Sequence, residues 1–310
     1  MGAPGLRAAT RGSTLARVQT AAVAELLRAA GGAEVEPVVV DTAGDRRQDA
    51  PIWAIGGQGV FVKEVQAAVL DGRADIAVHS AKDLPSTPTE GLVIAAIPPR
   101  GDPRDALVGG TLAGLPVGAR VGTGSVRRRA QLAWLRPDLT FAGLRGNMET
   151  RLAKASGFDA IVVAAAALDR LGRSSARSEV LDPEVVVPQV GQGALAVECR
   201  ADDTATLALL AAIDHRPSRL AVEAERAFLR EIGGSCDLPV GAHATVAADG
   251  LSIRLEGMLA TGDGRIVLRH RDTDADPVAL GRRVARHLLD EGGGADLLDA
   301  GLDHSAPLHA

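Results

Sequence analysis

Tyrosine is absent from this 310-residue chain, and phenylalanine and tryptophan occur only four and two times. Single-stranded nucleic acid is gripped by stacking bases on aromatic rings, so that work is excluded as a main role. The net charge of −5 argues the same way, because nucleic-acid binders carry an excess of positive charge. Long apolar runs are missing too. The longest, AIVVAAAAL around Ile161, falls far short of the roughly 20 residues that span a bilayer. The opening MGAPGLRAATRGS contains no stretch of signal-peptide type. A cytoplasmic protein with no membrane partner is the expectation. Cysteine is nearly absent: Cys199 and Cys236 stand alone, which supports neither a disulfide framework nor a zinc site. No metal is expected.

Lysine is scarce as well. Only Lys63, Lys82 and Lys154 occur, against 31 arginines. Part of that is compositional bias. The sharper reading is that some arginines fork around carboxylates or phosphates, which their planar geometry suits. A length of 310 residues suits two or three domains of ordinary size, and 46% hydrophobic residues are enough for their cores.

The first 200 residues alternate strand and helix patterns. LRAAT, EVEPVVV, ADIAVHS and LVIAAI read as strands, with helices starting at Ser13 and within VFVKEVQAAVL. A second unit begins near Asp102 with DALVGG and ARVGTG, a helix capped by Ser125, then LTFAGLRG, METRLAKA and DAIVVAAAAL. VVVPQVGQGALAVECR reads as a return strand pair toward the first unit. Hinge crossings are placed near Pro98–Asp102 and Pro188–Gly193. The pattern implies α/β lobes with mostly parallel sheets. The last hundred residues differ. A helix from about Ser218 to Ile232, three strand-like runs and a helix from Val278 to Leu289 make a small α+β domain.

Ligands of open α/β sheets sit at strand ends, beside the N-termini of the helices that follow. Arg11 and Ser13 follow the first strand, with Gln19 further along its helix. Ser80, Lys82 and Asp83 follow the third. Thr123, Gly124 and Ser125 end another, with Arg127 and Arg128 in the next helical turn. Arg145, Gly146 and Asn147 repeat the arrangement, with Arg151 one turn on, and Arg170 follows DAIVVAAAAL. Basic side chains in a first helical turn oppose the macrodipole. Arg127 and Arg128 are therefore either solvated or beside an anion, and the donors at Gly124 and Ser125 favour the anion. Asp83 in SAKDLP is either a turn former or a carboxylate in basic surroundings, able to hold a cationic nitrogen or move a proton. His79 and Cys199 read as packing residues within apolar strands. Cys236, in the loop GGSCDLPVG, is open to function or to a bland loop role.

Eight blocks in order resemble one family over nearly the whole chain: RAATRGSTLARVQT, GGQGVFVKE, ADIAVHSAKDLP, DPRDALV, VGTGSVRRRAQL, LRGNMETRL, VGQGALAVECR and GGSCDLPVG. The family is hydroxymethylbilane synthase, also called porphobilinogen deaminase. The resemblance implies two periplasmic-binding-protein-like α/β lobes with the active cleft between them, and a small C-terminal α+β domain. The division is 1–98 with about 193–214, then 99–192, then 215–310.

It also implies a dipyrromethane cofactor, one per chain, held covalently by a thioether at Cys236. Four porphobilinogen molecules are joined to it one at a time with loss of ammonia, through an electrophilic azafulvene, and water releases the linear tetrapyrrole. On this resemblance Asp83 is catalytic. Lys82, Asp83, Thr123, Ser125, Arg127, Arg128, Arg145 and Gly146 bind the cofactor with Cys236. Arg11, Ser13, Gln19, Ser80, Arg145, Asn147, Arg151 and Arg170 bind substrate. A monomer is expected, passing its product to uroporphyrinogen-III synthase. Two positions depart from the family pattern, Ala54 and Gln58, where many members carry lysine. The competing reading is a non-catalytic anionic-solute binder of the same two-lobed fold, which has no use for the cysteine.

Overall fold

Alternation of small apolar side chains along short strands sets the architecture. The computed structural model describes residues 5–301, apart from 32, 43, 45–58, 60–61 and 234–237. The chain forms two compact units, Met1–Gly101 with Gly193–Arg219, and Asp102–Gln192 with Leu220–Ala310.

The first unit opens with β1 (Leu6–Arg11) and α1 (Thr14–Ala29), then β2 (Val35–Val40), α2 (Lys63–Leu70), β3 (Ile76–Ser80) and β4 (Leu92–Ala96). The second holds β5 (Asp105–Val108), β6 (Arg120–Gly122), α3 (Val126–Leu135), β7 (Thr140–Ala142), α4 (Met148–Ala153), β8 (Ala160–Ala164), α5 (Ala165–Arg170) and β9 (Glu179–Leu181). The chain re-enters the first unit with β10 (Leu195–Arg200) and α6 (Thr204–Ala211). There follow α7 (Arg216–Glu231), β11 (Val240–Val246), β12 (Ile253–Ala260), β13 (Val267–Asp274), α8 (Pro277–Arg286), a π-helical turn at His287–Glu291 and α9 (Gly294–Gly301).

The first sheet runs β2-β1-β3-β10-β4. Neighbouring residues of one strand face opposite layers, as the pleat demands. Ala8 and Ile76 pack with Val23 and Leu27 of α1 and Leu210 of α6. Ala9 and Ala77 pack with Val65 and Val69 of α2. The second unit repeats this in a sheet ordered β7-β6-β8-β5-β9. Leu107, Val121 and Val162 join Leu132 of α3 on one face, and Ala106, Ile161 and Val163 join Leu144 and Leu168 on the other. Its remaining layer is the antiparallel sheet β11-β12-β13, whose core joins Phe228 of α7 to Leu255, Leu280 and Val284. Gly257 sits mid-strand in β12 because a Cβ there would lie 2.6 Å from the Phe228 ring.

These are two α/β sheets with helices on both faces and a small C-terminal α+β layer. The sheets are mostly parallel, as expected, with four strands of each five pointing one way and one reversed strand in each. β10 is antiparallel to both β3 and β4, and β5 is antiparallel to both β8 and β9. DAIVVAAAAL is also two elements, a strand to Ala164 and then a helix, because four consecutive alanines favour helix as soon as the sheet pairing with β5 ends. VVVPQVGQGALAVECR contributes one strand, LAVECR, and not a pair.

Candidate functional site

In the first unit, β1 and β3 are adjacent and parallel, so their C-terminal ends lie at one edge of the sheet. Arg11 is the last residue of β1. Ser13 caps α1, its hydroxyl accepting from the amide of Ala16 at 3.3 Å. Gln19, buried on α1, donates from Nε2 to Oγ of Ser80 at 2.9 Å, which ties the helix to the end of β3. A single 3-10 turn, Ala81–Asp83, follows; the amide of Ala81 donates to the carbonyl of Ala194 at 3.0 Å. Lys82 and Asp83 are half-buried on that turn. Six of the residues singled out in the sequence thus share one strand-end edge.

Behind it lies a buried polar chain. Thr89 donates to Gln66 at 3.0 Å, and Gln66 donates to Glu198 at 2.8 Å. Nε2 of His79 lies 3.1 Å from the Glu198 carboxylate, at ion-pair distance but not aligned as a hydrogen bond.

In the second unit, β6, β7 and β8 are parallel and end on a common edge. Thr123 is buried there, and Ser125 caps α3 by accepting from the Arg128 amide at 3.4 Å. Gly146 has φ +113°, a conformation suited to glycine, and Nε of Arg151 donates to its carbonyl at 2.8 Å. Asn147 caps α4, its Oδ1 accepting from the amide and hydroxyl of Thr150, both at 2.9 Å. Arg145 is half-buried between these groups in sequence, and Arg170 closes α5. Burial pulls the Arg170 guanidinium below its usual value, against the opposing pull of Asp169.

Arg127 and Arg128 differ from a solvated helix start. They are 3% and 5% exposed, and both grip Asp105, which is fully buried. Nη2 of Arg127 donates to Oδ2 at 2.7 Å, while Nε and Nη2 of Arg128 donate to Oδ1 at 3.0 and 2.7 Å. Backbone carbonyls hold the far sides: Val187 accepts from Arg127 at 2.6 Å, and Val162 from Arg128 at 2.9 Å. Gln192 adds a donor to Oδ1 at 2.8 Å. Burial alone would raise the Asp105 carboxyl. The two guanidiniums outweigh it and hold the group well below the usual carboxylate range. Burial lowers Arg127, Asp105 counters, and Arg128 pulls it down further. An internal carboxylate therefore answers part of the macrodipole objection that the sequence raised, and Asp105 is the residue that the sequence reading missed.

The two cysteines separate clearly. Cys199 is fully buried in the core of the first unit, and burial, with help from Asp203, pushes its thiol up to about 11. Cys236, Ala54 and Gln58 lie outside the described residues. A cavity of about 270 Å³ in the second unit is lined by Asp182, Glu184, His243, Thr245, Arg254 and Glu256. It holds none of the predicted residues, and Glu256 is already paired with Arg269 and Arg271, each at 2.7 Å. Among the described residues no three metal-ligating side chains converge, and no helix is long and apolar enough to cross a membrane.

The family profile described as "Porphobilinogen deaminase, dipyromethane cofactor binding domain" matches residues 6–208, and that of the porphobilinogen deaminase C-terminal domain matches residues 219–290. A porphobilinogen deaminase of Roseiflexus sp. (strain RS-1) is 52% identical, the alignment covering 92% of this chain and 96% of the relative. Those of Acidothermus cellulolyticus (96% of this chain, 90% of the relative) and Brevibacillus brevis (92% and 94%) are 49% and 47% identical. Among solved structures, an arginine-specific periplasmic binding protein of Salmonella typhimurium aligns at TM-score 0.39 and 15% identity, covering 68% of this chain and 92% of that one. An extracytoplasmic solute receptor of Bordetella pertussis that binds pyroglutamic acid aligns at TM-score 0.39 and 14% identity, covering 74% and 84%.

Proposed function

This chain belongs to the porphobilinogen deaminase family, and we propose that it carries out that reaction with the strand-end side chains of its two units. Porphobilinogen is a pyrrole with an acetate arm, a propionate arm and an aminomethyl group. Four molecules are joined head to tail with loss of ammonia, and water releases hydroxymethylbilane. Each ring brings two carboxylates, so a growing product demands cations. Arg11, Lys82, Arg145, Arg151 and Arg170 supply them, and Ser13, Gln19, Ser80, Thr123, Ser125, Gly146 and Asn147 add donors or shape.

The observation that carries this reading is the charge count around Asp105. Two buried guanidiniums face one carboxylate, and Nε of Arg127 is buried without a hydrogen-bond partner among the described residues. An uncompensated buried charge is costly, and a second anion relieves it. Carboxylate arms of an acidic dipyrrole fit that requirement. Cys236 would hold a dipyrromethane by a thioether, and the group would supply the free pyrrole carbon onto which substrate is joined. Arg127 and Arg128 would hold its acid arms. Asp83 accepts a hydrogen bond from a pyrrole N–H and gives a proton to the substrate amine, so that ammonia leaves when the C–N bond breaks. Its carboxylate then faces the positive charge left on the substrate ring. The enzyme works as a cytoplasmic monomer and hands its product to uroporphyrinogen-III synthase.

Intact-protein mass spectrometry under reducing, denaturing conditions tests the reading. The expected mass is the chain plus two pyrrole units with four acid arms, and porphobilinogen adds a ladder of single-ring steps. Cys236→Ala lacks both adduct and ladder. Asp83→Asn keeps its fold but loses about 10²–10⁴ of turnover, the span of a general acid, while Asp83→Glu keeps part of it. A bare-chain mass in an active enzyme overturns the reading. So does binding of porphobilinogen without turnover, which is what a solute binder shows.

A further inference from the structure

We propose that Asp105 is a positioning residue, setting the Arg127 and Arg128 guanidiniums for the acid arms of the primer while leaving one positive charge for them to neutralise. This rests on the reading that those arginines hold the primer. Each guanidinium is fixed on two sides, by a backbone carbonyl and by one oxygen of Asp105. The carboxylate is itself aimed by Nε2 of Gln192, which also donates to the Pro103 carbonyl at 2.7 Å. Asp105 and Gln192 are fully buried, and the two arginines keep a small exposed fraction.

The stoichiometry sets the function. With no acid, two adjacent cations 3–5% exposed repel each other in a poor solvent for charge. With two acids, the site is neutral and has no electrostatic claim on an anionic ligand. One acid between two arginines gives fixed geometry and a surplus charge together. Asp105 touches neither substrate nor primer in this scheme. It acts through the arginines alone, which separates it from Asp83.

The test is a double-mutant cycle read on primer loading and not on turnover. Unprimed chains of wild type, Asp105→Asn, Asp105→Glu, the pair Arg127→Gln with Arg128→Gln, and the combined variants are incubated with porphobilinogen. Intact mass gives the fraction carrying the two-ring adduct and the concentration for half-loading. Asp105→Asn is expected to raise that concentration roughly tenfold, within the range of coupled neighbours. Asp105→Glu, which keeps the charge but displaces it, should lose less. It stands in for the amide variant should that one, with two uncompensated cations, fail to fold. On the arginine-free background neither change at Asp105 should have a further effect. A loss that adds in full to that background marks a general folding role and overturns the proposal, as does normal loading in folded Asp105→Asn. Normal loading in the arginine-free chain instead sinks the reading of the arginines themselves.

Discussion

A thiol's surroundings decide whether it can be a nucleophile, and here they divide two cysteines that composition cannot rank. Cys199 shares one face of β10 with Leu195 and Val197 and ends in the core, where a thiolate has neither water nor a nearby positive charge strong enough to keep it. Its protonated form is the folded form. Raising the pH through the ordinary thiol range therefore favours the unfolded chain, which ionises first. In the Cys236→Ala variant at pH 8, iodoacetamide is expected to leave Cys199 unmodified on a timescale that fully alkylates the denatured chain. Mass spectrometry reads this directly. Rapid alkylation of the folded variant would show that the thiol is exposed or activated, and would reopen the choice of cysteine. Asp105 shows the opposite limit of residue-scale reading. An acid at the head of the apolar run DALV gives no local hint that two arginines some twenty residues on will close around it.

That blindness belongs to the scale of elements. Arg11 and Ser80 were legible as strand-end residues because they close β1 and β3, and Thr123 and Arg145 because they come at once or within three residues after β6 and β7; within each sheet, parallel strands put such ends on one edge. Asp105 opens a strand instead. It reaches the same edge only because β5 runs against β8, pairing Asp105 with Ala164 at the strand's close. No periodicity in four residues reveals strand direction, so the one reversed strand of this sheet and the Asp105 network went unseen together. The loop before α4 shows how tightly such an edge is built. A Cβ on Gly146 would lie 2.6 and 2.7 Å from Cγ2 and Cβ of Thr150, whose hydroxyl and amide are tied to Asn147. Gly146→Ala therefore meets both an unfavourable φ and a neighbour that cannot yield. It should cost about 1–3 kcal/mol in urea unfolding, more than the roughly 1 kcal/mol lost with the cap in Asn147→Ala. An equal or smaller loss for Gly146→Ala would mean that the turn relaxes freely.

For the whole molecule, several carboxylates are held ionised by arginines, and this gives the fold a sensitivity to acid. Asp75 beside Arg7 and Asp105 between two arginines are both held below the usual carboxylate range; for Asp102, burial works upward and Arg104 prevails. A carboxylate depressed in the folded state stabilises the chain fully above its unfolded value, and that stabilisation drains as pH falls toward the folded value. For Asp105 the folded value lies below the unfolded one, so as pH falls the unfolded chain takes up a proton there before the native chain does. Between those two values each pH unit costs up to about 1.4 kcal/mol through this one group. The stability gap between wild type and Asp105→Asn, measured by urea midpoints, is thus expected to be constant from pH 8 to about pH 5. It should narrow below about pH 4, since only the wild type has a carboxylate there that takes up a proton on unfolding. A gap that stays constant down to pH 3 would show that Asp105 contributes shape and not charge, and the surplus-cation account of the arginine site would fall with it.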